Sequence, residues 1–361
     1  MRVGILTGGG DCPGLNAVIR AAVRKGIFHY NDEFIGFLEG WRGVLDNLTQ
    51  KLDFTSVAGI LPRGGTILRT SRTNPGKHAE GLARCMENLT KNDIEALIAI
   101  GGDDTQRIAN RLHQMGVKVV GVPKTIDNDL SGTDFCFGFD TAVNVATEAI
   151  DRCHTTAEAH NRVLVVEVMG RDSGWIAMYS GIAGGADVIL IPERPFDIDE
   201  ISEILRRRHA RGRYFSIVVA AEGAKLASDV DPAHGAPVVT EFGKDEFGHV
   251  RLGGIGNILA REIERRTGFE TRTVVLGHIQ RGGSPSAFDR VLATRYGIGA
   301  IDLVHREEFG TMVALRGTEI VSVPLSDAIL VTRTVGDDLI NVAMGLREPL
   351  EREKEPIEQL T

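Results

Sequence analysis

The sequence predicts an α/β protein with mainly parallel sheets, and three observations carry that reading. Short β-branched apolar runs recur at residues 3–6, 96–100, 117–122, 163–168, 217–221 and 273–276. Helical patterns separate them, and a glycine-rich or charged cluster follows each. Unbroken apolar strands need cover on both faces, which intervening helices supply in a parallel sheet.

Taken in order, the first run leads into Thr7-Gly8-Gly9-Gly10-Asp11 and then into residues 15–28, where Leu15, Ala17, Val18, Ala21, Ala22 and Ile27 recur at near-helical spacing. The opening unit is strand, glycine loop, helix. The second run precedes Gly101-Gly102-Asp103-Asp104-Thr105, and the third precedes Pro123-Lys124-Thr125-Ile126-Asp127-Asn128-Asp129. The last three lead into Met169-Gly170-Arg171, Glu222-Gly223 and Gly277-His278-Ile279-Gln280-Arg281-Gly282-Gly283. Open parallel sheets bind ligands at the carboxyl ends of their strands. Six polar clusters at those ends point to one shared site. Residues 225–249, with Asp229, Asp231, Pro232, Gly235 and Pro237, break the pattern and read as a surface excursion.

Composition narrows the function classes. The 361 residues suffice for two domains, and 42% apolar content supplies a core for each. With 41 basic against 49 acidic residues, a net charge of −8 and no basic run, the chain is not expected to bind nucleic acid or an acidic membrane. Four scattered cysteines form no CxxC pair, which argues against a disulfide framework or a thiolate zinc site and for a reducing cytoplasm. No apolar stretch approaches a membrane span, and the start carries no basic leader.

The strand-end residues suit phosphoryl chemistry. Gly8, Gly9 and Gly10 ahead of a helix let backbone N–H groups approach a phosphate, although the same residues suit a ligand-free turn. Asp103 offers a hard oxygen to Mg²⁺ or caps a helix. Asp127 and Asp129, two residues apart, can divide labour between taking a hydroxyl proton and holding a hydrated metal; an Asx turn is the plainer reading. Arg162, Arg171, Arg272, His278 and Arg281 are cations in or beside the strand ends, suited to a substrate already phosphorylated at one end. Glu222 can accept hydrogen bonds from sugar hydroxyls or close a salt bridge.

Taken together, Gly101-Gly102-Asp103, Thr125-Ile126-Asp127-Asn128-Asp129, Met169-Gly170-Arg171 and Gly277-His278-Ile279-Gln280-Arg281-Gly282-Gly283 resemble, in order and separation, the signature set of the phosphofructokinases. The resemblance implies two doubly wound α/β domains meeting over the site. Residues 1–138 with about 285–334 would bind the phosphoryl donor, and 139–284 with about 335–361 would bind fructose 6-phosphate. It implies Asp127 as base toward the 1-hydroxyl, Thr125 at the same end of the sugar, and Asp103 with Asp129 as Mg²⁺ ligands. Gly10 and Arg72 would meet the donor, and Met169, Gly170, Arg171 and Glu222 would wall the sugar, with Arg171 also stabilising the transferring group. His278 and Arg281 would clamp the 6-phosphate, joined by Arg162 and Arg272 from a neighbouring subunit, so a homodimer or homotetramer with shared sites is expected.

Asp104 carries the donor expectation. Family members that use ATP usually have glycine here and those that use pyrophosphate usually have aspartate, so Gly-Gly-Asp-Asp resembles the latter, with Lys124 as an added cation. An ATP-using phosphofructokinase is the alternative. A silent sugar-phosphate sensor would be expected to lack Asp127 or Asp103, and a NAD or lipid kinase would leave the His278/Arg281 clamp unexplained.

Overall fold

The computed structural model describes residues 1–227, 236–237, 239–244, 246–248 and 250–346. In chain order its strands are β1 (Arg2–Thr7), β2 (Glu33–Phe37), β3 (Thr49–Leu52), β4 (Ala96–Gly101), β5 (Val119–Pro123), β6 (Val163–Val168), β7 (Val188–Leu190), β8 (Ser216–Ala221), β9 (Lys225–Leu226), β10 (Ala236–Pro237), β11 (Val239–Lys244), β12 (Val250–Leu252), β13 (Thr271–Val275), β14 (Thr311–Arg316) and β15 (Glu319–Pro324). All six apolar runs are strands: β1, β4, β5, β6, β8 and β13. They fall on two sheets, three on each.

The chain divides into two compact units, each returning to itself. Among the described residues, the first holds Met1–Ala142 and Arg281–Arg333, and the second holds Val143 onward to β9, β12 to Gln280, and the stretch from Thr334. A short piece around residues 246–248 belongs to the first. Within the excursion expected at 225–249, residues 228–235, 238, 245 and 249 lie outside the described residues. The remainder contributes β9, β10 and β11; β9 pairs with β10, and β11 with β12 just beyond the excursion, as two small ladders apart from the main sheets.

In the first unit a seven-stranded sheet has the order β15-β14-β5-β4-β1-β2-β3. Its five central strands are parallel, and β3 and β15 close the borders antiparallel. From β1 the chain goes to β2 on one side and later to β4 on the other, so the strand order reverses between β1 and β4. Such a reversal opens a crevice at the strands' carboxyl ends. On one face Leu6, Phe37, Trp41, Leu97, Leu112 and Met312 belong to one buried cluster. Each such side chain contributes about 1.5–3 kcal/mol by leaving water.

The second unit carries a four-stranded, fully parallel sheet, β13-β6-β8-β7. Helices Ile198–Ala210 and Ile255–Thr267 bury Ile201, Leu205, Leu259 and Ile263 in the same cluster as Val165 and Val218. Among the described residues no helix is long and apolar enough to cross a membrane, and all four cysteines are unpaired and buried.

Candidate active site

In the first unit the loops after β1, β4 and β5 lie side by side because those strands are neighbours. Main-chain bonds join them: Gly8 N–H donates to Ile100 at 2.9 Å, and Lys124 N–H donates to Gly101 at 3.1 Å. Thr105, buried at the start of helix Asp103–Gln114, packs between two of the loops. A Cβ on Gly8 would come within 2.5 Å of its hydroxyl, and one on Gly101 within 2.3 Å of its Cβ, so both positions must be glycine for the loops to approach.

The glycine loop departs from its expected form. The following helix, Leu15–Lys25, begins five residues after Gly10, with Gly14 at its cap and a buried first turn of Leu15, Asn16 and Ala17. Its amino terminus therefore does not meet Gly10, because Asp11-Cys12-Pro13-Gly14 intervenes. Instead the loop is tied sideways: Gly9 N–H donates to Ser71 at 3.1 Å and the Thr70 hydroxyl donates to Gly9 at 2.5 Å, which sets exposed Arg72 beside it. The helix that starts directly after a glycine turn is Asp103–Gln114, with Asp103 and Asp104 both in its first turn. Neither is the N-cap, which is Gly102; Asp103 accepts from Arg107 at 2.6 Å.

Lys124 is buried, and its ammonium runs back under the glycine loop to donate to the Gly10 carbonyl. Burial lowers its pKa from the usual lysine range. The Arg281 guanidinium reaches the same loop, donating to Asp11 at 3.3 Å, with a Cβ on Gly10 falling 2.7 Å from its Nη1. Two cations thus converge on Gly10 and Asp11.

The Asp127/Asp129 segment is a knotted turn. The Thr125 hydroxyl accepts from Asp127 N–H at 3.0 Å and bonds the Asp129 carboxylate, so it shapes the turn from within. Burial pushes Asp129 up to about 7, with the charges of Asp127 and then Asp103 pushing the same way. A carboxyl that holds its proton this tightly has the environment that would favour a divalent cation. Among the described residues no three His, Cys, Asp or Glu side chains form a ready metal cage. Asp103 and Asp129 with a phosphate-bound, hydrated Mg²⁺ need none, since Mg²⁺ keeps waters and substrate oxygens as ligands. The donor set fits.

Sequence reasoning passed over Asn128. It is buried with φ 52, its amide oxygen accepts from Cys136 N–H at 2.8 Å, and Arg333 holds the carbonyls of Asn128 and Asp129 at 3.2 and 2.8 Å. The available signal was chemical, since asparagine tolerates the left-handed region and bonds locally between two aspartates.

In the second unit the loops after β6, β8 and β13 are neighbours in the same way. Glu222 N–H donates to Val168 at 2.8 Å, Gly223 N–H to Gly170 at 3.0 Å, and Met169 N–H to the Gln280 amide at 3.4 Å. A Cβ on Gly223 would sit 1.8 Å from the Arg171 carbonyl, so only glycine lets these two loops pack. Met169, Gly170, Arg171, Glu222 and the short helix Gly277–Arg281 with exposed His278 thereby share one edge.

Arg162 and Arg272 do not join them. Arg162 immediately precedes β6 and Arg272 is the second residue of β13, so both lie at the amino ends, where they share Glu270 at 2.7 Å each. At about 3.3 Å per residue, the carboxyl end lies about 20 Å along β6 from Arg162 and about 10 Å along β13 from Arg272, and both guanidiniums are held at Glu270 instead. Reading them as strand-end cations failed because proximity in number to an apolar run does not tell which end of the strand a residue occupies.

A family model described as "Phosphofructokinase" matches residues 2–304. A curated relative named pyrophosphate–fructose 6-phosphate 1-phosphotransferase, from Streptomyces coelicolor, is 60% identical over 93% of this chain and 96% of its own length. An "ATP-dependent 6-phosphofructokinase 3" from the same organism is 54% identical over 93% of this chain and 97% of its own. Among solved structures, phosphofructokinase from Pichia pastoris in its T-state aligns with a TM-score of 0.80 and 31% identity, covering 96% of this chain and 36% of that longer one. By family model, sequence and fold alike, this chain belongs to the phosphofructokinase family.

Proposed function

We propose that the chain is a Mg²⁺-dependent transferase that moves a phosphoryl group from pyrophosphate to the 1-hydroxyl of fructose 6-phosphate, releasing fructose 1,6-bisphosphate and phosphate. It is proposed to work reversibly, in the cytoplasm and within glycolysis. The observation that carries this reading is the first turn of helix Asp103–Gln114, where Asp104 stands beside Asp103 at the β1/β4 reversal. A second carboxylate there repels the α-phosphate of ATP. Two like charges about 4 Å apart at an effective dielectric near 20 cost about 4 kcal/mol, roughly a thousandfold in affinity. Pyrophosphate has no α-phosphate and escapes that cost.

Asp127 takes the proton of the attacking hydroxyl, held in place by Thr125 and Asn128. Asp103 and Asp129 would hold Mg²⁺, which neutralises charge on the pyrophosphate oxygens. Backbone at Gly10, with Arg72 and Lys124, orients the donor, and Arg171 offsets the charge that spreads over the phosphoryl group in flight. The first unit is the donor side. The second is the sugar side, where Met169, Gly170, Arg171 and Glu222 wall the substrate and His278 clamps its 6-phosphate, a role Arg281, counted with the first unit, is proposed to share. Arg162 and Arg272 serve the site of another subunit in a homodimer or homotetramer.

The ATP-using alternative draws on the 54% identical relative. Initial rates with ATP and pyrophosphate side by side separate the two. Pyrophosphate should support turnover and ATP should not, and Asp104→Gly should raise ATP-supported turnover while weakening the pyrophosphate reaction. Efficient use of ATP with indifference to pyrophosphate would overturn the donor assignment.

A further inference from the structure

Gln106 is completely buried in the first turn of helix Asp103–Gln114. Its amide nitrogen donates to three main-chain carbonyls: Ala99 at 3.1 Å and Gly101 at 3.0 Å on β4, and Val122 at 3.0 Å on β5. The amide oxygen, among the described residues, accepts no hydrogen bond. It faces Gly121, where a Cβ would fall 2.4 Å away. The amide orientation is fixed by this arrangement, since turning it over would press an oxygen against three carbonyls.

Satisfying backbone does not account for this residue. The Gly101 carbonyl already accepts Lys124 N–H at 3.1 Å, and the orphaned amide oxygen is a cost that an apolar side chain would avoid. What the side chain does uniquely is join three pieces at one point. The helix start carries Asp103 and Asp104, the end of β4 carries the Gly101-Gly102 turn, and the end of β5 leads into Lys124, Thr125 and Asp127. Resting on the phosphoryl-transfer reading above, we infer that Gln106 is a positioning residue that fixes the donor-side carboxylate turn in register with the base-bearing turn. Proton abstraction and donor alignment require those two turns to hold their separation within a fraction of an ångström, and misplacement by 1 Å costs about a hundredfold in rate.

Gln106→Met keeps the length and apolar bulk and removes the three bonds. Assayed as the full chain with fructose 6-phosphate, Mg²⁺ and whichever donor the native protein uses, it should lose about tenfold to a hundredfold in kcat. The KM for fructose 6-phosphate should stay within about twofold. Gly121→Ala, which leaves Gln106 present but occupies the space of its oxygen, should show the same split. Leu112→Ala on the same helix should lower Tm while retaining kcat, which separates positioning from mere destabilisation. Variants at 106 and 121 that keep native kcat, lose it only as Leu112→Ala does, or fail to fold would overturn the positioning role and leave phosphoryl transfer standing. A native protein that transfers phosphoryl groups from neither donor would overturn both.

Discussion

The two sets of strand ends use buried charge in opposite ways. In the second unit the buried Glu167 and the half-buried Glu193 and Asp187 each accept from backbone N–H groups. Glu167 accepts from Gly254 and Gly256 at 3.1 and 2.8 Å, Glu193 from Gly174 and Val335 at 2.8 and 3.0 Å, and Asp187 from Ile217 at 2.9 Å. These acids shape loops. In the first unit burial raises the Asp129 carboxyl, with the charge of Asp127 adding to it, and burial lowers the Lys124 ammonium, which donates to the Gly10 carbonyl, so both are displaced from their ordinary pKa ranges. Groups left in that condition retain capacity for a proton, a cation or a phosphate. Asp187 is raised by burial as well, yet it ties the amino ends of β7 and β8 and so serves shape, whereas Asp129 and Lys124 stand at carboxyl strand ends, where ligands bind.

The largest expected effect tests the chemical half of that contrast. Asp127→Asn should lower kcat by about 10²- to 10⁴-fold with little change in the KM for fructose 6-phosphate. Steady-state kinetics showing most of kcat retained would remove Asp127 as the base.

Gly223→Ala tests the shape-holding half. The new methyl group must displace the Arg171 carbonyl 1.8 Å away, so the KM for fructose 6-phosphate should rise about tenfold or more, and proportionally more than kcat falls. An unchanged KM would mean that the Met169-Gly170-Arg171 loop does not contact the sugar.

An effect on stability rather than rate sharpens the comparison within the first unit. Asp289 is a buried acid of the shape-holding kind, accepting from Thr141 N–H at 2.8 Å and from its hydroxyl at 2.5 Å. Burial nevertheless pushes its carboxyl up to about 6. Because the folded value lies above the unfolded one, the folded state binds the extra proton. Its contribution is fully present below pH of about 4 and is lost as pH rises to about 6, a change of about 3 kcal/mol in unfolding free energy. Denaturant unfolding of Asp289→Asn should lack that decline; an identical pH profile would show that Asp289 does not titrate there.

Legibility in the sequence followed burial and covalent order. β1, β4, β5, β6, β8 and β13 announced themselves as continuous apolar runs because both of their faces are covered. β2, interrupted by Gly36, and the three-residue β7 lack that signature. The β14–β15 hairpin turns through Gly317-Thr318, a two-residue cue with a single glycine that does not stand out among so many glycine turns. Residues whose chemistry is stated by type and order, such as Asp103, Asp127 and Glu222, were readable at their strand ends. Asn128 could be read from its tolerance of the left-handed region between two aspartates, whereas the bonds of Gln106 to β4 and β5 arise from the packing of its helix against the sheet, which residue type does not state. The amino-end placement of Arg162 and Arg272 depended on strand boundaries within a residue or two, where sequence patterns are weakest.

The borders of the seven-stranded sheet have a consequence for how copies of this chain can associate. An open sheet edge invites another chain to add a strand, the first step toward runaway fibres. Here one border is β3, four residues long with Thr49, Gln50 and Lys51 exposed, and the other is β15, which begins at exposed Glu319 and ends at Pro324. A strand added beside β3 would have to desolvate a lysine over a ladder too short to repay it. One beside β15 would run into a residue with no N–H to offer. Strand addition along these borders is disfavoured, so a finite, closed assembly of this chain would have to be built through side-chain surfaces.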